Sequence, residues 1–207
     1  MAPTTAPKAV VGVAKRQEAA SSTFEDSKLS RVTRAIFVTN RRIYDSEGHA
    51  QFVTFSCYKR RRLLDHDRCK RIVIGTLGSQ LALQNGVCIG IVVLPDHVHA
   101  LVSFREREQL SYFMKQWKQR SSVAIHKFIE SDLPMYAQFV LDEGHVWQAK
   151  YYPFNVFSEE KAVEKLDYMH LNPVRAALVE RAIDWPWSSA RWYELRQSVG
   201  LPIGWIS

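Results

Sequence analysis

The chain has only three cysteines, Cys57, Cys69 and Cys88, and no two of them stand in a CxxC spacing. So odd and scattered a set offers no pairwise disulfide scheme. It suits thiols that serve as small core residues in a reducing compartment. Long apolar runs are also missing, and nothing approaches the roughly 20 residues that span a bilayer. Ala9-Val-Val-Gly-Val-Ala14 is shorter than a secretory core and is followed by Lys15-Arg16. A cytoplasmic protein with no membrane partner is therefore expected. Internal repeats are absent as well, and 207 residues fall short of the about 250 of a strand-helix barrel.

What is present is an ordinary globular composition with a basic surplus. Apolar residues make up 46%, and 28 Lys and Arg against 21 Asp and Glu give +7, with a pI near 9.4. Such a balance favours an anionic partner, nucleic acid being the commonest. Residues 1–45, rich in Ala, Thr, Ser and Pro, read as a flexible basic extension that carries Arg31, Arg34, Arg41 and Arg42. Residues 46–195 read as one domain, and 196–207 as a C-terminal tail without a derivable role.

Within the domain, hydrophobic periodicity predicts a first strand over Gln51–Tyr58. A helix capped by Asp65 runs to Gln84, with Gly86 as its stop. Two strands follow, Val87–Leu94 and His97–Phe104, joined by Pro95-Asp96. A second helix covers Glu108–Ile129. Val146–Phe157 is extended, with Pro153 marking an edge strand or bulge. Ser158 caps a third helix that Asn172-Pro173 should close. This order predicts an α+β fold with a ferredoxin-like, RRM-like antiparallel sheet and helices packed on it.

Two sets of residues carry chemistry. In Ile91-Val-Val-Leu-Pro-Asp-His-Val-His-Ala-Leu-Val-Ser-Phe104, strand alternation projects His97 and His99 together, away from Val98, Ala100 and Val102. Paired imidazoles on a stiff strand can share a divalent ion. On the third helix, a step of about 100° per residue gathers Ala162, Leu166 and Met169 into a buried stripe. Tyr168 and Asn172 then fall together on the polar side. The phenolate can attack phosphorus, and the asparagine oxygen is a neutral hard ligand, so the four residues would give three ligands and one nucleophile. A tyrosine that ordinarily titrates near pH 10 would need a nearby cation or base. An H-x-H pair also occurs as a structural pair, and Tyr and Asn one turn apart are common on polar helix faces.

Leu94-Pro-Asp-His-Val-His-Ala-Leu-Val102 resembles the His-hydrophobic-His motif of the HUH single-tyrosine (insertion-sequence) transposases. Val146-Trp-Gln-Ala-Lys-Tyr-Tyr152, Leu166-Asp-Tyr-Met-His-Leu-Asn-Pro-Val-Arg175 and Asp184-Trp-Pro-Trp-Ser-Ser189 are similar to successive blocks of the REP-associated tyrosine transposases. The likeness covers about residues 49–193. It implies an HUH-type fold in which His97, His99 and Asn172 hold Mg²⁺ or Mn²⁺ and no nucleotide cofactor is used. It also implies that Tyr168 attacks single-stranded, hairpin-bearing repetitive DNA and becomes linked to a 5′ phosphate. Such a protein would work as a monomer or a homodimer. The rival expectation is a non-catalytic nucleic-acid-binding module on the same fold. A small-molecule metal hydrolase is disfavoured by chain length.

For DNA contact the sequence offers several candidates. The run Lys59, Arg60, Arg61 and Arg62 would neutralise phosphates, unless it is simply a solvated turn. Lys118 and Arg120, with Lys115, flank Trp117 on the second helix, and Trp117 itself reads as core. Trp147 and Gln148 could stack and read an unpaired base. Arg175 could face the phosphate. Trp185 and Trp187 read as packing residues and His170 as a buried, hydrogen-bonded histidine, whereas His145 carries no assignment.

Overall fold

A computed structural model describes residues 50–106, 108–140 and 144–204; the basic extension at 1–45 lies outside them. Strands β1 (Ala50–Ser56), β2 (Val87–Val93), β3 (His97–Ser103) and β4 (Tyr152–Val156) alternate with helices α1 (Asp67–Leu83), α2 (Gln109–Asp132), α3 (Pro134–Val140), α4 (Glu159–Arg175) and α5 (Ala190–Leu195). Among the described residues the strands form one antiparallel sheet in the order β2-β3-β1-β4. That order and its β-α-β-β-α-β connectivity make the fold ferredoxin-like, as the periodicity predicts.

The sheet is covered on both faces, and the division between them positions the site. Val53 and Phe55 of β1 and Val98, Ala100 and Val102 of β3 are fully or almost fully buried, under α1 and α2. Trp117 of α2 meets Phe55 edge-on at 4.8 Å, and its indole N–H donates to Val73 O of α1 at 3.0 Å. The opposite face carries Phe52 and Thr54 of β1 beside His99 and Leu101 of β3. Over it lies α4, through Ala162, Leu166 and Met169, all fully buried, the stripe that the helical period predicts. Gly90 of β2 permits the close approach. A Cβ built there would stand 2.4 Å from Leu166 Cδ2 and 3.1 Å from Met169 Cε.

Several boundaries differ from the sequence expectations. Asp65 does not cap α1; it sits in a 3-10 turn, Leu63–Asp65, with its carboxylate on the Arg62 guanidinium. His66 takes the cap position without a side-chain bond. The first strand stops at Ser56, because Lys59 and Arg60 adopt positive φ in a sharp turn. Ser158 does cap α4, accepting from Lys161 N, but Pro173 does not end it. The helix runs to Arg175 with Pro173 buried inside its last turn. The backbone bonding continues past the proline, Ala176 N to Asn172 O and Leu178 N to Pro173 O, and only the bond that residue 173 would donate to Met169 O is given up.

The segment set apart as a tail is also core. Val199, Leu201 and Ile203 are buried, and Gly204 N donates to Cys88 O. With Val93 N→Trp187 O and Ser189 N→Ile91 O, the C-terminal chain covers the outer edge of β2, which would otherwise expose unpaired backbone groups. Trp185 joins it by donating from Nε1 to Val93 O at 3.0 Å. The other sheet edge is β4, where Pro153, lacking a donor, is admissible.

Candidate active site

Strand alternation sends His97 and His99 to one face, and the β1 pairing sets Thr54 opposite His99 and Ser56 opposite His97. Thr54 Oγ1 meets His99 Nδ1 at 2.7 Å. Asp96 Oδ1 meets His97 Nδ1 at 2.6 Å. A donating Nδ1–H on each ring would leave Nε2 as a lone pair, the tautomer a metal ligand requires. Asp96 is itself held by Arg60, whose Nε lies 2.8 Å from its Oδ2 and whose Nη1 donates to Ser56 Oγ at 2.8 Å. The two imidazoles stand 4.9 Å apart at 88°.

His99 is the buried member. Phe52 stacks on its ring at 5.5 Å, and its Nε2 has no hydrogen-bond partner although it is buried. An orphaned buried nitrogen is costly, and a cation at that lone pair would satisfy it. Burial first, then the neighbouring His97 and Arg60, pushes the His99 pKa down to about 3. The ring therefore stays neutral, and able to ligate, at neutral pH.

From the other side α4 brings Tyr168 against this pair. Its ring stands edge-on to His99 at 5.6 Å and to Phe52 at 6.1 Å, yet it remains 43% exposed. A phenol in contact with a buried imidazole and still open to solvent can reach a large substrate. Arg175 lies over the Tyr168 ring at 5.6 Å. Asn172, one turn beyond Tyr168, donates from Nδ2 to Tyr168 O at 3.1 Å, so Oδ1 is the acceptor end of its amide. Among the described residues no group of three or more His, Cys, Asp or Glu could hold a metal. His97 and His99 have the donor chemistry of ligands for a divalent ion, and the Asn172 amide oxygen is a neutral donor of the same kind on α4.

The other sequence candidates divide. Arg175 reaches the site. Arg60 reaches it too, but as the partner of Asp96. Arg62 forms a two-bond pair with Asp65, while Lys59 and Arg61 lie near the Tyr58 ring. Lys118 points to backbone: its Nζ donates to Gln148 O at 2.6 Å and Ala149 O at 2.8 Å, and burial lowers its pKa. Arg120 lies on α2, across the sheet from the histidines, in a groove with Gln116, Gln119, Val123 and Lys127.

Trp147 requires a correction. It is buried, packs edge-on against Phe55 at 4.8 Å and donates its indole N–H to Ser121 Oγ, so no base can stack on it. Gln148 is tied to β1 through its backbone N–H to Ser56 O. His170 is buried as expected, with Nε2 2.8 Å from Ser189 Oγ.

Sequence reasoning missed Thr54, Phe52 and Lys165. Thr54 and Phe52 are set by strand register, which has no local signal. Lys165 had one: it lies three residues before Tyr168, on the same helix face. Its Nζ sits 4.5 Å over the Phe154 ring and 5.6 Å over Phe52. Lys165, Tyr168, Asn172 and Arg175 thus form one stripe, with a cation at each end.

Residues 45–170 match the family model described as "Transposase IS200 like". A relative in Haemophilus influenzae, assigned to the REP-associated tyrosine transposases, is 26% identical over 106 residues, which cover 49% of this chain. The match spans only 57% of that relative's length. Among solved structures, a REP-associated tyrosine transposase bound to a REP hairpin superposes with a TM-score of 0.55 at 18% identity. The superposition covers 81% of this chain and 93% of that one. A weaker likeness, TM-score 0.44 at 20% identity, is to a Deinococcus radiodurans structure assigned as a transposase; it covers 57% of this chain and 86% of that one.

Proposed function

Because the chain belongs to the IS200-like transposase family, we propose that it is a metal-dependent single-strand DNA endonuclease and strand transferase acting on hairpin-forming repetitive DNA. The observation that carries the reading is the 5.6 Å contact between the Tyr168 ring and His99, whose buried Nε2 lacks a partner. The solved relative bound to a REP hairpin supports a hairpin substrate.

Tyr168 Oη attacks the scissile phosphorus. The bond from phosphorus to the 3′ oxygen breaks, the phenol proton passes to solvent, and the leaving oxygen takes up a proton as a 3′ hydroxyl. The 5′ phosphate is then esterified to Tyr168. One phosphoester bond replaces another, so a 3′ hydroxyl from a different strand can reverse the step and join there without a nucleotide cofactor. His97, His99 and Asn172 would hold Mg²⁺ or Mn²⁺, which when bound polarises a non-bridging phosphate oxygen. Asp96 and Thr54 fix the imidazoles. Arg175 meets the phosphate charge, and Phe52 shields His99 from water.

The test is a labelled hairpin oligonucleotide incubated with Mg²⁺ or Mn²⁺ and resolved under denaturing conditions. The expected result is a covalent adduct that Tyr168→Phe abolishes while binding persists. Binding without cleavage by the wild-type chain would instead favour a non-catalytic module.

A further inference from the structure

The exposed aromatic side chains beside the site lie on β4, on the same face as the histidines. Tyr152 pairs with Thr54, and Thr54 pairs with His99. Tyr152 therefore stands in the cross-strand row of the buried imidazole, two strand spacings or about 10 Å away. Phe154 pairs with Phe52, the ring that stacks on His99. Tyr152 is 72% exposed and Phe154 43%, whereas Trp117 and Trp147, which pack against Phe55 of β1, are buried.

A cation completes the surface. Lys165 Nζ lies 4.5 Å over the Phe154 ring and pairs with Glu164 Oε1 at 3.6 Å. Arg175 flanks Tyr168 at the other end of the α4 stripe. Flat aromatic faces for bases, interleaved with cations for phosphates, are the elements of a single-strand track. Paired bases have their faces covered by stacking, so the chemistry selects an unpaired strand.

Resting on the strand-transferase reading, we propose that Tyr152 and Phe154, with Lys165, form a stacking platform for the unpaired nucleotides adjoining the phosphate that Tyr168 attacks. The platform would hold the strand flat against the sheet on the β4 side of the histidines. It would distinguish a hairpin with a single-stranded flank from a blunt one.

The experiment uses the full chain carrying Tyr168→Phe, so that bound strand is not cut. The probes are hairpin oligonucleotides with 5-iodouracil at successive positions of the unpaired flank. Irradiation should cross-link positions next to the cleavage site to Tyr152 or Phe154, identified by peptide mapping. Tyr152→Leu should weaken binding of the flanked hairpin on the order of 5- to 100-fold, leave the blunt hairpin unaffected and keep the melting temperature, since the side chain is exposed. Tyr152→Trp should retain tight binding.

Cross-links elsewhere, with flank affinity unchanged in Tyr152→Leu and Phe154→Leu, would overturn the platform and leave the strand-transferase reading standing. A dimer that Tyr152→Leu splits, with no cross-link to β4, would assign the face to a second copy and equally overturn it. Failure of the chain to bind any single-stranded or hairpin oligonucleotide would overturn both readings.

Discussion

Gly90→Ala tests how the tyrosine is held against the histidines. The added Cβ would stand 2.4 Å from Leu166 Cδ2 and 3.1 Å from Met169 Cε, with Ser189 Oγ at 3.3 Å on the third side. Carbon atoms pack at about 3.5–4.0 Å, so something must yield by roughly 1.1–1.6 Å. Leu166 cannot swing into solvent, because it is fully buried, and Ser189 is fixed to both Ile91 N and Ile91 O. Leu166 and Met169 meet the new Cβ with their side-chain ends. Either they take other rotamers within the core, or α4 moves away from the sheet and carries Tyr168 with it; the adduct rate separates the two. Overpacking of this kind costs about 1–3 kcal/mol, measurable as a lowered urea midpoint with an unchanged slope. A misplacement near 1 Å at the reacting group costs on the order of 100-fold in rate, to be read as the rate of adduct formation. Leu166→Ala alone should cost about 2–5 kcal/mol, but combined with Gly90→Ala it should cost less than the sum, because one change vacates what the other fills. Strictly additive losses, or a Gly90→Ala chain of wild-type stability and adduct rate, would refute the claim that this contact sets the helix position.

Other expectations follow from particular contacts. Asp96→Asn removes the charge that orients His97 and anchors Arg60, and should weaken Mn²⁺ affinity about 10- to 100-fold; an unchanged titration would dismiss the orienting role. His99 and His170 are both buried, with pKa values pushed by burial to about 3, against 6.5 in the unfolded chain. Their depressed values mean that stability is complete above pH 6.5. It declines as pH falls toward 3, because only the unfolded state takes up the protons, by on the order of 1.4 kcal/mol per pH unit for each. Urea titrations of the metal-free chain between pH 7 and 4 measure that slope, and a flat profile would contradict it. Trp147→Phe should lower the melting temperature, through the lost Ser121 bond and core volume, while leaving oligonucleotide affinity intact. A selective loss of binding would restore Trp147 as a DNA contact.

Much of the site was legible because strands and helices have fixed periods. Two residues apart on β3 is enough to put His97 and His99 on one face, and four apart on α4 is enough to align Tyr168 with Asn172. The α+β element order was legible for the same reason. Composition could not say whether an aromatic was a platform or a core residue. Trp147 beside Gln148 looks like a base reader in one dimension and proves to be a packing residue against Phe55. Lys118, counted among phosphate contacts, bonds backbone carbonyls of the same segment. Nothing local, by contrast, marks Tyr152 as exposed on β4.

The chain alone thus determined which side chains travel together within an element, since backbone periodicity is local. Only the tertiary structure decided which elements face each other. Thr54 reaches His99 across 45 residues because β1 pairs with β3 in one register, and a one-residue slip would turn Thr54 to the other face. Tyr168 meets His99 because a glycine on β2 lets α4 settle onto the sheet, a contact between residues far apart in sequence that no local pattern encodes.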